Sequence, residues 1–403
     1  MATIACCLPG RLTWLNLPAM NPAHTILYID TADALDSFCG MLRAADWIVL
    51  DTEFLREKTY YPKLCLLQVA TPDSVACIDP LALDELTPLL EILFDEGITK
   101  VMHSGRQDME IFYHLAGKLP SPVFDTQIAA LMLGYPEQVG YASLVKGELG
   151  IELDKLHTRA DWTQRPLSDD QIQYAADDVI YLVEIYQRLS EKLATLGRRD
   201  WLLEDFQRLT DADLYDNPPA DAWQKVKGGN RLRGDSLSIM QALAGWREQV
   251  AQQKNRPKGW ILRDDALIDI SRHRPASLEA LGKIRGLGEG LVRNSGNKII
   301  ELVREATGKA PIPFPDKGKQ TKLSPDQNAL VDVMMALVRL SGEQNNLNPA
   351  VLATRKQLEK LVLGEQDAAV VQGWRKKLVG AQLQAFLDGD LKLCIRDGRL
   401  AVD

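Results

Sequence analysis

Apolar residues come in short runs over the first third of the chain and at helical spacing after it. The runs at 26–29, 47–54, 64–70, 74–78 and 99–102 have the length and β-branched content of strands. Those at 47–54, 64–70 and 74–78 are joined by short connections, broken by Tyr60-Tyr61-Pro62 and Pro72-Asp73. They predict an antiparallel meander. Helical patterns are expected at about 31–44 (with Thr31 as N-cap), 85–94, 107–115 and 125–133. From there the chain reads as helical to 196, with breaks at Gly134-Tyr135-Pro136 and Arg165-Pro166. Strands followed by strand–helix alternation predict an α/β domain with a mixed sheet over residues 25–215.

Beyond that, helical spacing dominates. Asn217-Pro218-Pro219 and Lys227-Gly228-Gly229-Asn230 mark a linker at 216–233, and Pro311-Ile312-Pro313 opens a second at 310–322. Between them lies an all-helical domain, 234–309. A third segment, 323–403, is helical until an alternating stretch around Asp397-Gly398 predicts a C-terminal hairpin. Residues 1–24 lack a basic start followed by an apolar core, so they read as a loose N-terminal extension, with Met20 a second candidate start.

Composition narrows the class. Hydrophobic content of 46% with 25% charged residues describes a globular chain. No apolar run reaches membrane-spanning length, so no membrane is expected. Six cysteines with no Cys-x-x-Cys pair read as reduced thiols in the cytoplasm. The net charge of −8 is unevenly spread: residues 26–222 carry 16 Lys+Arg against 35 Asp+Glu, whereas 223–309 carry 17 against 9. An acidic front and a basic middle suggest modules with different tasks, the second suited to a polyanion or simply presenting a solvated helical surface.

The candidate chemistry sits at the end of the 47–54 run. Strand side chains alternate, so Asp51 and Glu53 point the same way. Paired anions at a buried strand end call for a shared proton, a basic partner or a metal. Three more acids are candidates: Asp108 in the first turn of a helix, Asp178 in mid-helix, and Asp125, which more readily reads as a helix N-terminal acid. Tyr174 is four residues before Asp178, on the same helix face. Four acids with a nearby phenol can hold two divalent ions about 3.5–4 Å apart, with Tyr174 orienting an attacking water. Oxygen-only ligands favour Mg²⁺ or Mn²⁺. On a helical wheel Asp178 falls at the border of the apolar arc beside Tyr174, and Asp177 falls on the solvent side.

Leu50-Asp51-Thr52-Glu53-Phe54, His103-Ser104-Gly105-Arg106-Gln107-Asp108 and Tyr174-Ala175-Ala176-Asp177-Asp178-Val179 resemble the three motifs of the DEDD exonuclease superfamily, tyrosine branch. Thr59-Tyr60-Tyr61-Pro62-Lys63-Leu64, Phe124-Asp125-Thr126-Gln127 and Asp161-Trp162 with Arg165-Pro166-Leu167 look like the bacterial ribonuclease D family. The resemblance implies a ribonuclease-H-like exonuclease domain and 3′→5′ exoribonuclease activity on RNA, trimming 3′ ends such as those of tRNA precursors. By match, Asp51, Glu53, Asp108 and Asp178 are metal ligands and Tyr174 positions water. Trp246-Arg247, Asn255-Arg256-Pro257 and Gly286-Leu287-Gly288 look like the helical domain shared with RecQ helicases (HRDC), and the third segment resembles a divergent second copy. These likenesses imply RNA contacts at Thr52, Phe54, His103, Arg247, Lys254, Arg256 and Lys258, and a monomer. A DNA 3′→5′ exonuclease and an inactive nucleic-acid-binding scaffold are the alternatives. A helicase lacks its phosphate-cradling loop here.

Overall fold

The computed structural model describes residues 3–8, 11–16, 25–153, 160–314, 322–365 and 369–402. An eight-stranded sheet runs through the first part. Its strands are β1 (Thr3–Leu8), β2 (Arg11–Asn16), β3 (Thr25–Ile29), β4 (Trp47–Leu55), β5 (Lys63–Ala70), β6 (Val75–Ile78), β7 (Thr99–Met102) and β8 (Val123–Asp125), in the order β2-β1-β3-β6-β5-β4-β7-β8. β4, β5 and β6 form the expected antiparallel meander, while β7 and β8 add on in parallel, so the sheet is mixed. The N-terminal stretch expected to be a loose extension instead pairs with itself and runs parallel to β3. Strand pairing satisfies backbone groups that apolar periodicity does not register. Met20 lies outside the described residues.

Helices cover both faces. On one lie α1 (Ala32–Leu42), α2 (Thr87–Leu93) and α3 (Arg106–Ala116), burying Leu35, Phe38, Ile92, Met109 and Phe112 against Ile48 and Leu50. On the other lie α4 (Thr126–Leu131), α5 (Tyr141–Leu149) and the 27-residue α6 (Asp169–Thr195), packed on Val49, Val101 and Cys77. A reciprocal cap starts α6: Ser168 Oγ accepts from the Gln171 N–H at 3.2 Å, and Gln171 Oε1 accepts from the Ser168 N–H at 3.0 Å. A short α7 (Leu203–Leu209) ends the domain.

The first helical unit holds α8 (Gly234–Gln253), α9 (Lys258–Ile261), α10 (Asp264–His273), α11 (Leu278–Gly282) and α12 (Glu289–Ala306). Much of the stretch expected to be a linker, 216–233, belongs to this unit's core. Trp223 is 2% exposed, among Leu237, Met240 and Leu243, and stacks edge-on against Phe314 from the second expected linker. Its Pro and Gly residues shape tight turns rather than a free tether. The second unit holds α13 (Pro325–Gln344), α14 (Pro349–Leu352), α15 (Arg355–Val362), α16 (Gly373–Arg375) and α17 (Ala381–Asp388), then a hairpin of β9 (Leu393–Arg396) and β10 (Arg399–Val402) turning at Asp397-Gly398.

Both units dock on the exonuclease domain. Asn255 Oδ1 accepts the backbone N–H groups of Tyr60 and Tyr61 at 3.0 Å each, and the Tyr60 hydroxyl donates to Glu248. At the other end Trp201 stacks on Trp374, with centroids 4.5 Å apart and planes 6° from parallel, and Arg375 lies 4.3 Å over Trp374. Gly134, at φ +91°, permits a close approach there: a Cβ would stand 2.8 Å from the Asn346 carbonyl oxygen.

Candidate active site

The site forms where β4 ends. Val49 and Trp47 pack toward α6 and Ile48 and Leu50 pack the other way, so the odd positions that include Asp51 and Glu53 face α6. A bulge between Glu53 and Phe54 breaks the pairing with β5 just after the second acid. Thr52, on the opposite face and buried, donates its hydroxyl to Asp108 Oδ1. That bond draws the first turn of α3 to the strand. The turn before α3 is tight: Ser104 has φ +58°, and a Cβ on Gly105 would meet Met102 Sδ at 2.6 Å.

Asp125 holds that turn. Its Oδ2 accepts from the Gly105 N–H at 2.9 Å, and its Oδ1 accepts from Ser104 at 3.2 Å and, as the cap of α4, from Gln127 at 2.8 Å and Ile128 at 3.2 Å. Asp125 is thus the helix-terminal acid that its sequence position suggests.

The four matching acids are all raised by burial, and the β4 pair also by the charges of Asp178 and Asp108. Burial pushes Asp51 well above the usual carboxylate range, and the charges of Asp178, Asp108 and Glu53 add to it. Burial, then Asp178 and Asp108, raise Glu53 to about 8. Burial raises Asp108 to about 6 against the opposing Thr52 bond. Burial, then Asp177, raise Asp178 to about 7. Tyr174 is raised by burial and then by Asp178, Glu53 and Asp51. No Lys or Arg is among the groups that shift these five.

Among the described residues, no three His, Cys, Asp or Glu side chains already stand in metal-holding geometry. The donor set nevertheless fits a divalent cation. It is all oxygen, it is desolvated, and among the described residues no Lys or Arg is among the groups that shift it. Gln68 adds a second mark. It sits opposite Asp51 on β5, is fully buried, and neither amide atom has a hydrogen-bond partner among the described residues. Sequence reasoning passed over it, although a lone polar residue inside Leu66-Leu67-Gln68-Val69-Ala70 is the signal that finds it.

Other expected residues lie elsewhere. Asp177 is half-buried rather than solvent-facing: it accepts from Gln173 Nε2 at 2.8 Å, and its carbonyl accepts the Tyr141 hydroxyl at 2.9 Å. The reason is a second helix: Tyr141, at the start of α5, reaches α6 at this position. Arg247, expected at an RNA surface, is buried, with its guanidinium bonded to the Leu262 carbonyl at 2.9 Å and Asp264 at 2.6 Å. Both His103 ring nitrogens are engaged, with Thr126 Oγ1 at 2.9 Å and the Val139 carbonyl at 3.1 Å, and burial lowers its pKa. Phe54 is half-buried, Lys254 and Arg256 are exposed, and Lys258 lies 3.4 Å from Glu248. A cavity of about 940 Å³ between α6 and the second helical unit contains none of the site acids; its Glu148 and Lys192 are paired at 2.6 Å. No described helix is long and apolar enough to cross a membrane.

The 3′-5′ exonuclease family matches residues 26–194, and the HRDC domain family matches 236–303. Ribonuclease D of Sphingobium indicum is 39% identical over 377 residues, covering 92% of this chain and 97% of its own. Ribonuclease D of Nitrobacter hamburgensis is 38% identical, with 92% and 98% covered. The crystal structure of Escherichia coli RNase D, described as an exoribonuclease involved in structured RNA processing, superposes with a TM-score of 0.76 at 32% identity, covering 90% of this chain and 98% of that one. By this identity and coverage, the chain belongs to the ribonuclease D family of 3′→5′ exoribonucleases.

Proposed function

We propose that Asp51, Glu53, Asp108 and Asp178 hold two divalent cations, Mg²⁺ or Mn²⁺, and that Tyr174 positions the water that attacks the last phosphodiester of an RNA 3′ end. One observation carries the reading: four buried acids lie above their usual range, the charges of Asp178 and Asp108 raise the β4 pair, and among the described residues no Lys or Arg is among the groups that shift them. Bound there, the cations supply a clamp for the attacking and leaving oxygens. The chain's part is to orient and exclude. The β4 pair faces α6, Thr52 fixes Asp108, and Phe54 stands beyond the bulge where the terminal base arrives.

The substrate we propose is structured RNA such as tRNA precursors, in the cytoplasm and with the protein as a monomer; the description of the E. coli relative supports the RNA class. The first helical unit grips the strand through phosphates. Lys254 and Arg256 line a groove of about 580 Å³ with Asn294 and Trp260, which is 60% exposed and free to stack on a base. We also read the second unit as an HRDC-like copy. It repeats the order of a 20-residue helix, a 4-residue helix and a helix of 8 to 10 residues.

The test uses RNA labelled at either end, with Mg²⁺, Mn²⁺ or chelator, and a DNA of the same sequence. Nucleotides should leave one at a time from the 3′ end, only with metal, and a blocked 3′ end should resist. Internal fragments, or cleavage in chelator, would overturn the reading.

A further inference from the structure

Tyr174 lies on the first turns of α6, close behind the loop 160–168. Trp162 in that loop is 4% exposed and packs in the same core, its ring 6.2 Å from the Tyr174 ring and tilted 30° from it. The loop has almost no regular structure to hold it. Beside the buried Trp162 and Leu167, Arg165 ties it to the sheet.

The Arg165 guanidinium meets Asp79, at the end of β6, with two parallel bonds: Nε to Oδ2 at 2.5 Å and Nη2 to Oδ1 at 2.7 Å. Nη2 also donates to the Cys65 carbonyl at 2.7 Å, and Nη1 donates to the carbonyls of Trp162 at 2.9 Å and Gln164 at 2.7 Å. Asp79 is fixed in turn by the Tyr28 hydroxyl at 2.6 Å and the Leu81 N–H at 2.9 Å. Its side chain is 2% exposed, yet the Arg165 and Tyr28 bonds outweigh burial and keep its pKa below the usual range. One planar cation therefore ties two sheet strands to the loop, with a geometry a lysine does not reproduce.

We infer that Trp162 is a positioning residue for Tyr174, and that the Arg165–Asp79 pair exists to set it. The indole packs beside the phenol ring at that tilt. The tilt of the phenol against that indole sets where its hydroxyl stands, in reach of the charges of Asp178, Glu53 and Asp51, which raise it after burial. Without the indole, the phenol loses one of the surfaces that set its tilt. The inference rests on Tyr174 acting on the attacking water.

The experiment is a double-mutant cycle on the full-length protein, with kcat, KM and Mn²⁺ affinity measured for each variant. Trp162→Leu should lower kcat by about tenfold, the size of coupling seen between residues in contact, with KM and Mn²⁺ affinity unchanged. Trp162→Phe should recover most of the loss. In a Tyr174→Phe background, Trp162→Leu should cost less than about twofold, because there is no hydroxyl left to aim. Arg165→Lys should follow Trp162→Leu in both backgrounds, and serves as the first arm if Trp162→Leu does not fold. Equal losses in both backgrounds, or a loss that falls on Mn²⁺ affinity, would overturn the inference while leaving Tyr174 its role. If Tyr174→Phe itself leaves kcat unchanged, the role of Tyr174 fails first and this inference with it.

Discussion

Asp177 and Asp178 are adjacent and chemically alike, yet the charges they meet differ. Asp178 acts on Asp51, Glu53 and Tyr174, whereas Asp177 acts on Cys77, Tyr181 and Asp178 itself. Asp178→Asn should therefore abolish turnover. Asp177→Asn should keep activity within about threefold, as changes away from the reacting atoms do. It should also move the acid limb of the pH–rate profile to lower pH, because removing Asp177's charge lets Asp178 ionise more readily. The opposite ranking, with Asp177→Asn dead, would mean that the register of α6 has been misread.

The raised acids also fix a sign for proton linkage. Asp178 near 7 and Glu53 near 8 hold protons in the metal-free fold that the unfolded chain gives up near pH 4. From about pH 4 to 8 the fold binds more protons than the unfolded chain, so its stability falls as pH rises through that window. Binding a divalent cation requires those protons to leave, so affinity should climb with pH over the same range. Calorimetry in buffers of different ionisation heat should report proton release near pH 6 that fades above about pH 8.5. Binding without proton release would show that the acids are already ionised.

At the scale of the element, much of the site was legible. Period-two alternation put Asp51 and Glu53 on one face of β4, and the i,i+4 spacing put Tyr174 beside Asp178. What could not be read was what lies behind each face. A helical wheel sets Asp177 in solvent because it shows only one helix, and Tyr141 of α5 is not on it. Arg247 looked like a free cation because nothing local says that Leu262 and Asp264 fold back onto it. The Pro and Gly around 216–233 suggested a tether, but Trp223 buries there. Gln68 on β5 yields a prediction of this kind. Gln68→Leu removes a buried amide that has no partner among the described residues, so the metal-free protein should gain about 1–3 kcal/mol. If that amide serves Asp51 once metal is bound, turnover should fall even as the melting temperature rises. A melting temperature that drops would mean that the amide is already satisfied.

Across the whole molecule, the acidic front and basic middle meet at a seam on the segment that follows the β4 acids. Asn255 binds the backbone of Tyr60 and Tyr61, seven and eight positions past Glu53. Its chain neighbours, Lys254 and Arg256, are exposed on the groove that holds Trp260. The phosphate grip proposed above assigns these two cations to the RNA strand beyond its 3′ end. Cutting the helical units away is a poor test, because Glu248 and Trp374 pack against the catalytic domain and truncation would strip that surface bare. Charge reversal keeps the fold. The double variant Lys254→Glu/Arg256→Glu should weaken binding of a long single strand in low salt. It should also flatten the plot of log affinity against log salt by about 1.4, since each phosphate contact on single strands contributes about 0.7 to the slope. Hydrolysis of a very short RNA, which ends before the groove, should be nearly unchanged. If the long strand keeps its salt slope, the phosphates are held elsewhere and the basic face of the first helical unit is only a solvated surface.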